Sequence, residues 1–276
     1  MIEFVDVSFS YDKKGISVLN NVSFKIKKGE FVAFVGKNGA GKTTLLKHIN
    51  GLLKPTTGQV KIEEEDIVKK PLSEMAKKVG LAFQNPNHQL FAETVKKELE
   101  FGPKNLELEA NEIEEKIQEI AEHFGISHLL DRNPLELSGG ERRLVSIASV
   151  LTMNQSILVL DEPTFGQDYR QKKRLGNFLE SLSEKGITII VVSHDLEFIL
   201  DFAERILVVS QGEIIKDEQP INVFTNEDLL NKSDLAQPVI FDLVSKLRKH
   251  FDDLPLSYNS QELVENLKQI LKEGVK

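Results

Sequence analysis

The sequence predicts an α/β fold built around a mainly parallel sheet. Near-continuous apolar runs, typical of strands buried on both faces, occur at residues 31–35, 157–160, 187–192 and 206–209. Segments compatible with helices separate the later runs, as in doubly wound domains. The first run leads into a glycine-rich loop, after which residues 43–49 continue at helical spacing. Strand, loop and helix therefore follow one another at the start of the core.

The first two predicted elements are strands of a small antiparallel unit. Residues 2–9 and 22–26 alternate between apolar and polar side chains, and a turn follows at Lys27, Lys28 and Gly29. This alternation is typical of strands with one exposed face, so we expect both to be edge strands. The strand at 31–35 and the helix at 43–49 come next.

A helical subdomain is predicted inside the sheet domain, over about residues 93–150. Its best-defined helix places five apolar residues on one face, namely Ile113, Ile117, Ile120, Ala121 and Phe124. The three later strands of the core flank or follow this insertion. We therefore expect helices to interrupt the sheet.

A helical extension is predicted at the end of the chain. The strands stop after Lys216, and two apolar stripes at helical spacing follow, made by Ile240, Leu243, Val244, Leu247 and Phe251 and by Leu263, Val264, Leu267, Ile270 and Leu271. Asn259 and Glu262 have the spacing of a capping box for the last helix. We accordingly divide the chain into a domain of residues 1–216 and an extension of residues 217–276.

Composition excludes several classes of protein. The 276 residues include no Cys, which rules out disulfides, thiolate metal sites and a cysteine nucleophile. No apolar run approaches the roughly 20 residues of a membrane-spanning helix, and the first residues lack the pattern of a signal peptide. With 35 Lys and Arg against 43 Asp and Glu, the net charge of −8 disfavours a surface devoted to nucleic acid. We expect a cytoplasmic protein.

Residues 36–43 match the phosphate-loop pattern G-x-x-x-x-G-K-[ST]. Glycines allow successive N–H groups to point at a phosphate, and the helix that follows adds its positive N-terminal end. Lys42 supplies a charge for the β- and γ-phosphates, and the Thr43 hydroxyl can bind Mg²⁺. The alternative is an ordinary glycine-rich turn with a solvated lysine, but the predicted strand before the loop and helix after it favour nucleotide binding.

Two acids follow the strand at 157–160, at the strand end where open α/β sheets bind ligands. Asp161 suits the Mg²⁺ shell, and Glu162 suits the activation of a water that attacks the γ-phosphate. The alternative is that such acids merely end a strand in solvent, but the phosphate loop favours the catalytic interpretation. His194 follows the strand at 187–192 and would contact the γ-phosphate, although a lone histidine is more often structural.

The segment Leu137-Ser138-Gly139-Gly140-Glu141 resembles the signature motif of ABC ATPases. The resemblance covers about residues 1–216 and includes the family's order of motifs, from an aromatic residue at Tyr11 to a histidine at His194. It implies a P-loop NTPase of the ABC cassette type. It also implies a dimer in which the signature of one subunit closes over ATP held by the other, with the extension helping the two subunits to pair.

The resemblance assigns further roles. Tyr11 would stack on adenine, unless it only covers a strand face; Gln84 would sense Mg²⁺ or water; Asp168 would bridge the two sites. The catalytic residues implied are Glu162, His194, Gln84 and Lys42, and the Mg²⁺ ligands are Thr43, Gln84 and Asp161. The residues implied to bind ATP are Tyr11, Gly36, Asn38, Gly39, Ala40, Gly41, Lys42, Thr43, Thr44, Ser138, Gly139, Gly140, Glu141 and Asp168. Glu141 and Gln167 depart from the family, where many members have Gln and Leu.

The stretch Phe83-Gln84-Asn85-Pro86-Asn87-His88-Gln89-Leu90-Phe91 is similar to that of ATPases in energy-coupling-factor importers for vitamins and transition-metal ions. This resemblance implies integral membrane subunits as partners, a location on the inner face of the membrane, and a second ATPase that is identical or paralogous. Leu90 and Phe91 would grip a helix end of a membrane subunit, or else bury their own side chains within the helical subdomain. ATPases of other ABC transporters remain the alternative within the family.

A different class of function is a soluble ABC-type ATPase that acts on DNA or ribosomes. Chromosome-maintenance relatives insert a long coiled coil between phosphate loop and signature, yet Lys42 and Ser138 lie only 96 positions apart. Translation-factor relatives carry two cassettes in one chain, and this sequence has one. The sequence therefore favours transport, and a phosphate-loop kinase is disfavoured because it would not use residues 137–141.

Overall fold

The computed structural model describes residues 1–12, 15, 17–251, 254–255 and 260–273. A six-stranded sheet forms the centre of the fold, in the strand order β10-β9-β3-β8-β7-β6. Its strands are β3 (Phe31–Val35), β6 (Val79–Ala82), β7 (Ile157–Asp161), β8 (Thr188–Val192), β9 (Arg205–Ser210) and β10 (Glu213–Glu218). The pairs β9-β3, β3-β8, β8-β7 and β7-β6 are parallel, and β10 alone among these six is added antiparallel. The predicted α/β core is confirmed.

The four apolar runs of the sequence are all strands of this sheet, and each predicted end lies within one residue of the observed end. The sequence analysis did not identify β6, because Val79–Ala82 is short and contains Gly80. That glycine has a packing reason: a Cβ at Gly80 would lie 2.1 Å from Oε1 of Gln155 and 2.6 Å from a methyl of Val150. Gln155 and Val150 fill the space beside Gly80, so β6 lacks an apolar side chain at this position and does not show the apolar run that usually marks a buried strand.

A second, antiparallel sheet has the order β2-β1-β4-β5. Its strands are β1 (Ile2–Phe9), β2 (Leu19–Ile26), β4 (Thr57–Ile62) and β5 (Glu65–Asp66). The expectation that both β1 and β2 are edge strands is wrong for β1, which lies between β2 and β4. The polar positions of β4, Thr57, Gln59 and Lys61, hid this strand in the sequence. Apolar side chains from this sheet and from one face of the parallel sheet share one core.

Helices cover the parallel sheet and form the predicted insertion. The helix that follows the phosphate loop is α1 (Lys42–Ile49), and the others of the domain are α2 (Leu72–Lys78), α3 (Val95–Asn105), α4 (Ala110–Phe124), α5 (Gly139–Leu151), α6 (Tyr169–Glu184) and α7 (Leu196–Phe202). The five residues of the α4 stripe are all buried, as predicted. Helix α4 ends at Gly125, whose φ of 69° is left-handed. Helices α3, α4 and α5 pack against one another, and α5, which begins within the segment 137–141, also contacts β6 and β7.

The extension consists of α8 (Pro220–Phe224), α9 (Glu227–Ser233), α10 (Val239–Leu247) and α11 (Ser260–Glu273). Helices α8 and α9 bury Val223, Phe224, Leu229 and Leu230 in the large core of the domain. Farther along, α10 and α11 contribute to a separate small cluster around Val244, Leu254 and Leu263. A division of the chain at residue 217 remains a prediction.

The stripes predicted for the extension are only partly buried. Leu243 on α10 is 43% exposed and Val264 on α11 is 47% exposed, whereas Val244 and Leu263 are buried. Asn259 of the proposed capping box, and the side chain of Leu271, lie outside the described residues. None of the helices within the described ranges is long and apolar enough to cross a membrane.

Candidate functional site

The phosphate loop joins β3 to α1, the strand-loop-helix arrangement that the motif requires. Gly36, Gly39 and Gly41 have φ values of 144°, 82° and 108°, in the region that favours glycine. At Gly36 an added Cβ would also lie 2.0 Å from the carbonyl oxygen of Val209. The left-handed turns and the close contact with β9 explain why the loop needs glycine at these positions.

Lys42 is the first residue of α1, and its ammonium group is turned back into the loop. Nζ donates hydrogen bonds to the carbonyl oxygens of Gly36, at 2.6 Å, and Lys37, at 2.9 Å. The side chain is only 6% exposed, and burial lowers the pKa of Lys42, while Glu162 and Asp161 oppose this effect. A buried cation satisfied by carbonyls is preorganised to exchange these contacts for phosphate oxygens.

Asp161 ends β7 and lies next to the phosphate loop. The Thr43 hydroxyl donates to Oδ2 of Asp161 at 3.1 Å. Burial raises the pKa of Asp161, against the hydrogen bond from Thr43 and the nearby charge of Arg143. This pair brings together a hydroxyl and a carboxylate from residues 118 positions apart in the chain.

Glu162 adopts a left-handed backbone conformation with φ of 53° directly after β7. Its N–H donates to the carbonyl oxygen of Val192 at 2.7 Å, and its Oε2 accepts from the N–H of His194 at 3.1 Å. Burial raises the pKa of the Glu162 carboxyl, and the hydrogen bond from His194 opposes that rise. A carboxylate held by backbone contacts, with a raised pKa, is suited to accept a proton from water.

His194 lies at the mouth of β8, between the phosphate loop and Glu162. Its Nε2 is 2.9 Å from Oδ1 of Asn38 and 3.5 Å from Oε1 of Glu162. About half of the side chain is exposed. The imidazole therefore faces the same space as the loop and the acid rather than the core.

These residues line a common cavity of about 310 Å³, a size in the range of small-ligand sites. Its walls are formed by Val18, Asn38, Gly39, Gly41, Lys42, Thr43, Thr44, Gln84, Asp161, Glu162, Val192 and His194. The structure thus brings together most of the site residues that the sequence analysis placed around the β- and γ-phosphates. Gly36 and Ala40 lie in the loop behind this lining.

Tyr11 lies at the border of the site. Its hydroxyl is 3.1 Å from Oγ1 of Thr44, and its ring packs edge-on against Phe9 at a centroid distance of 5.0 Å. The side chain is 58% exposed. The ring therefore has a free surface next to the helix that begins at Lys42, as adenine stacking would require.

The signature residues lie in a different place. Ser138 caps α5, Gly139 and Gly140 form its first turn, and Glu141 completes a capping box with Ser138. Gly139 and Gly140 line a second cavity of about 400 Å³, to which Gln84 also contributes. Asp168 is separate again: it caps α6, and its Oδ1 accepts from the N–H of Gln171 at 2.8 Å. Within one chain, Ser138 to Glu141 and Asp168 do not line the cavity of the phosphate loop.

The sequence analysis missed Arg143, which connects the two cavities. It is 2% exposed, and its guanidinium donates to the backbone carbonyls of Phe83, Gln84 and Asp161. Burial lowers the pKa of Arg143 to about 10. The sequence feature that could have identified Arg143 is its place directly before the apolar run that starts at Leu144, because a charge buried there needs specific partners.

Two glutamines were also not assigned a structural role. The side chain of Gln89 accepts from the N–H of Phe83 and donates to Ser146 and Ser149, so it joins the loop after β6 to α5. Gln167, one of the departures noted above, donates from Nε2 to the carbonyl oxygen of Gly140 at 3.3 Å. These contacts hold the signature helix against the loops that carry Gln84 and Asp168.

The oxygen atoms at this site fit Mg²⁺. Mg²⁺ is usually bound by one or two carboxylates together with phosphate oxygens and waters, and Asp161, Thr43 and Gln84 border one cavity. Among the residues that the structure describes, no group of three or more His, Cys, Asp or Glu could hold a metal by itself. The phosphates of a nucleotide would thus have to supply part of the coordination.

Comparison with known proteins identifies relatives over nearly the whole chain. The family model for ABC transporters matches residues 19–165. The energy-coupling factor transporter ATP-binding protein EcfA of Methanothermobacter thermautotrophicus is 41% identical over 273 residues, 98% of this chain and 88% of that protein. EcfA2 of Clostridium tetani is 41% identical over 96% of this chain and 91% of that protein.

Solved structures agree with the sequence comparisons. The structure of cbiO1 from Clostridium perfringens, described as part of the ABC transporter complex cbiONQ, has a TM-score of 0.73 and 31% identity, and covers 88% of this chain and 98% of that one. A dimeric ATP-binding cassette bound to ADP and Pi has a TM-score of 0.71 and 30% identity, over 80% of this chain and 99% of that one. These solved structures therefore share the fold of this chain over at least 80% of its length.

Proposed function

We propose, from the premise that the chain belongs to the family of ABC transporter ATP-binding proteins and is an ATPase, that it energises an energy-coupling-factor importer for vitamins or transition-metal ions. One observation carries the part of the proposal that two ATPases act together: the chain presents two helix starts suited to bind phosphate, and they do not line the same cavity. Lys42 begins one of these helices, and Ser138 caps the other. A single nucleotide held in the phosphate loop leaves the second unused within the chain.

The chemistry is hydrolysis of Mg²⁺-ATP in the cavity of the phosphate loop. Lys42 would exchange its loop carbonyls for the β- and γ-phosphates, and Thr43, Asp161 and Gln84 would hold Mg²⁺, which neutralises the phosphate charge when bound. Glu162 would orient and deprotonate the attacking water. His194, already 2.9 Å from Asn38 of the loop, would donate to the γ-phosphate.

The signature is proposed to act on ATP held by a second subunit. Ser138 and Gly139 are exposed, and a Cβ at Gly139 would meet no atom within 4 Å. Packing inside this chain therefore does not require glycine at this position. The open space is explained if a nucleotide bound to a second ATPase approaches the backbone there. Asp168 would complete the interface between the two subunits, and Tyr11 would complete the adenine site.

The membrane subunit is proposed to dock in a groove beside α3. The groove has a volume of about 380 Å³ and includes Phe83, Gln89, Phe91 and Phe101. Phe91 and Phe101 are 62% and 48% exposed, and their rings pack edge to face at 4.7 Å. Exposed aromatic side chains at a groove are suited to hold a helix end. Gln89 connects this groove to the signature helix, so a docked helix would move with it.

The extension is proposed to help the two ATPases to pair. Val239 and Leu243 on α10 are 69% and 43% exposed, and Val264 on α11 is 47% exposed. To test this role, Val239→Asp with Leu243→Asp should weaken pairing without changing nucleotide affinity. Val68→Asp, at a residue that is 44% exposed outside the extension, is the matched control. Unchanged pairing of the double variant would remove the extension from this role.

The importer type rests on the relatives named EcfA and EcfA2 and on the segment 83–91. The deciding experiment is purification of the tagged full-length chain from membranes, followed by identification of the subunits bound to it. Recovery of an energy-coupling-factor membrane subunit supports the proposal, and Phe91→Glu should reduce that recovery while Val68→Glu does not. Recovery of the membrane domains of another ABC transporter would overturn the branch assignment, and ribosomes or DNA as the bound partner would overturn transport itself.

A further inference from the structure

Glu141 makes a closed set of contacts with the signature serine. Its Oε2 accepts from the N–H of Ser138 at 2.8 Å and from the Ser138 hydroxyl at 2.7 Å. In return the N–H of Glu141 donates to Oγ of Ser138 at 3.4 Å. The two side chains therefore form a reciprocal capping box at the start of α5.

The contact with the hydroxyl has a consequence for phosphate binding. A serine hydroxyl has a single proton to donate, and an ionised carboxylate can only accept. The proton of Ser138 therefore points at Glu141. A phosphate oxygen is also only an acceptor, so Ser138 cannot donate to a phosphate while this hydrogen bond persists.

The charge of Glu141 lies at the same helix end. Hydrogen bonds from Ser138 lower the pKa of Glu141, so it is ionised at neutral pH, and Arg132 and His128 act in the same direction. Anions are stabilised at a helix N-terminus, and here the chain's own carboxylate already takes that place. A phosphate that approaches the exposed backbone of Gly139 would meet this negative charge.

We propose that Glu141 is a positioning residue that restrains Ser138, and that closure of a second subunit's ATP onto the signature requires the Ser138–Glu141 hydrogen bond to be exchanged. This inference rests on the proposed pairing of two ATPases. It makes Glu141 the residue that sets how much ATP is needed for pairing, while ATP binding to the phosphate loop of a single chain does not depend on it.

Glutamine at position 141 provides a matched comparison. It has the same length, and its Oε1 can keep the hydrogen bond from the N–H of Ser138, as in capping boxes that use Gln. Its amide can also donate to Oγ, which frees the hydroxyl proton for a phosphate. The substitution therefore preserves the helix cap while it removes both the charge and the restraint.

The test uses the full chain with Glu162→Gln, in which hydrolysis is blocked, and follows pairing by sedimentation at increasing Mg²⁺-ATP. We expect Glu141→Gln to reduce the ATP concentration at half-maximal pairing about five- to tenfold, as for the exchange of one hydrogen bond. Binding of ATP to the single subunit should stay the same. In Ser138→Ala chains the gain from Glu141→Gln should shrink, because no hydroxyl remains to be freed.

Other outcomes separate this inference from the proposed function. If Glu141→Gln pairs as weakly as the parent chain or more weakly, and its thermal unfolding is unchanged, then Glu141 does not restrain Ser138. In chains that retain Glu162, the same substitution should lower the KM for ATP more than it changes kcat, and a change in kcat alone would also overturn it. If the parent chain with Glu162→Gln does not pair with itself at any ATP concentration, the pairing of two identical subunits is wrong, and this inference falls with it.

Discussion

The backbone N–H of His194 donates a 3.1 Å hydrogen bond to the carboxylate of Glu162. The segment after β8 thereby fixes the acid that follows β7, and the two strands are neighbours in the parallel sheet. The imidazole of His194 lies 3.5 Å from the same carboxylate. Acid, histidine and phosphate loop are thus joined in one set of contacts.

Glu162→Gln should reduce ATP turnover about 10²- to 10⁴-fold, the range for loss of a general base. Gln keeps the side-chain length and can still accept from the N–H of His194, so the loop should keep its shape. ATP binding should therefore remain within a few-fold of that of the unchanged chain. Steady-state phosphate release and equilibrium nucleotide binding measure the two effects, and normal hydrolysis would remove Glu162 from its role.

The same substitution should change the pH dependence of stability. Burial raises the pKa of Glu162 above its ordinary value of 4.5, so the folded chain holds this proton more tightly than the unfolded chain. Ionisation of Glu162 therefore lowers the free energy of unfolding as the pH rises through the raised pKa. Below about pH 4.5 the carboxyl is protonated in both states and this destabilisation disappears. In the absence of nucleotide, Glu162→Gln should unfold at a higher temperature than the unchanged chain at pH 7.

The control for that prediction is the same comparison of unfolding temperatures at acidic pH. As the pH falls toward 4.5, the two unfolding temperatures should converge, because Glu162 becomes protonated in both the folded and the unfolded chain. Glu180, an exposed glutamate on α6, provides the reference substitution Glu180→Gln, which is measured over the same pH range. A variant Glu162→Gln that is less stable than the unchanged chain at pH 7 would contradict the burial argument.

Lys42→Ala should weaken ATP binding about 10- to 100-fold, because hydrogen bonds to a charged group contribute roughly 1.5–3 kcal/mol. Lys37→Ala is the matched control: it lies in the same loop, but its ammonium pairs with Asp234 at 2.9 Å and is 70% exposed. Equilibrium titration with a fluorescent nucleotide distinguishes them. Equal losses for both variants would indicate that the total charge of the loop matters rather than the position of Lys42.

Arg143→Met should destabilise the fold by about 1–3 kcal/mol for each buried carbonyl left unsatisfied. The backbone oxygens of Phe83 and Asp161 lose their guanidinium partner, so the carboxyl ends of β6 and β7 are affected directly. Arg142→Met is the control, because Arg142 is half-buried and bonds to the side chain of Asn87. Urea unfolding of the two variants tests the difference, and similar midpoints would contradict the role assigned to Arg143.

The parts of the site that the sequence could predict are those encoded by neighbouring residues. The phosphate loop, the acids after β7 and the cap at Ser138 each depend on spacing within one short segment. Arg143 was not predictable in this way, because its carbonyl partners lie 18 to 60 residues away.

The same distinction holds for the fold. Buried strands such as β3 and β8 are apolar throughout and were visible in the sequence. The central place of β1 was not, because it depends on pairing with β4, a strand with alternating polar residues. Helices α8 and α9 are short, and their packing onto the main core through Val223 and Phe224 follows from tertiary contacts rather than from periodicity.

Gly139→Ala should separate stability from function. Gly139 is the first residue of α5 and its Cβ position is open, so alanine should stabilise the isolated chain slightly, by less than the roughly 0.5–1 kcal/mol of a glycine in the middle of a helix. ATP-dependent pairing should nevertheless be lost, because the added methyl group lies where the nucleotide of a second subunit would approach the backbone.

Gly176→Ala is the contrasting variant for this prediction. A Cβ at Gly176 would lie 2.1 Å from the ring of Phe202, so this substitution should destabilise the fold through a clash inside the chain. Thermal unfolding and ATP-dependent sedimentation are measured on both. Normal pairing of Gly139→Ala would show that a partner's nucleotide does not use the open space at the signature, and it would contradict the proposed role of Ser138 and Gly139 at the ATP of a second subunit.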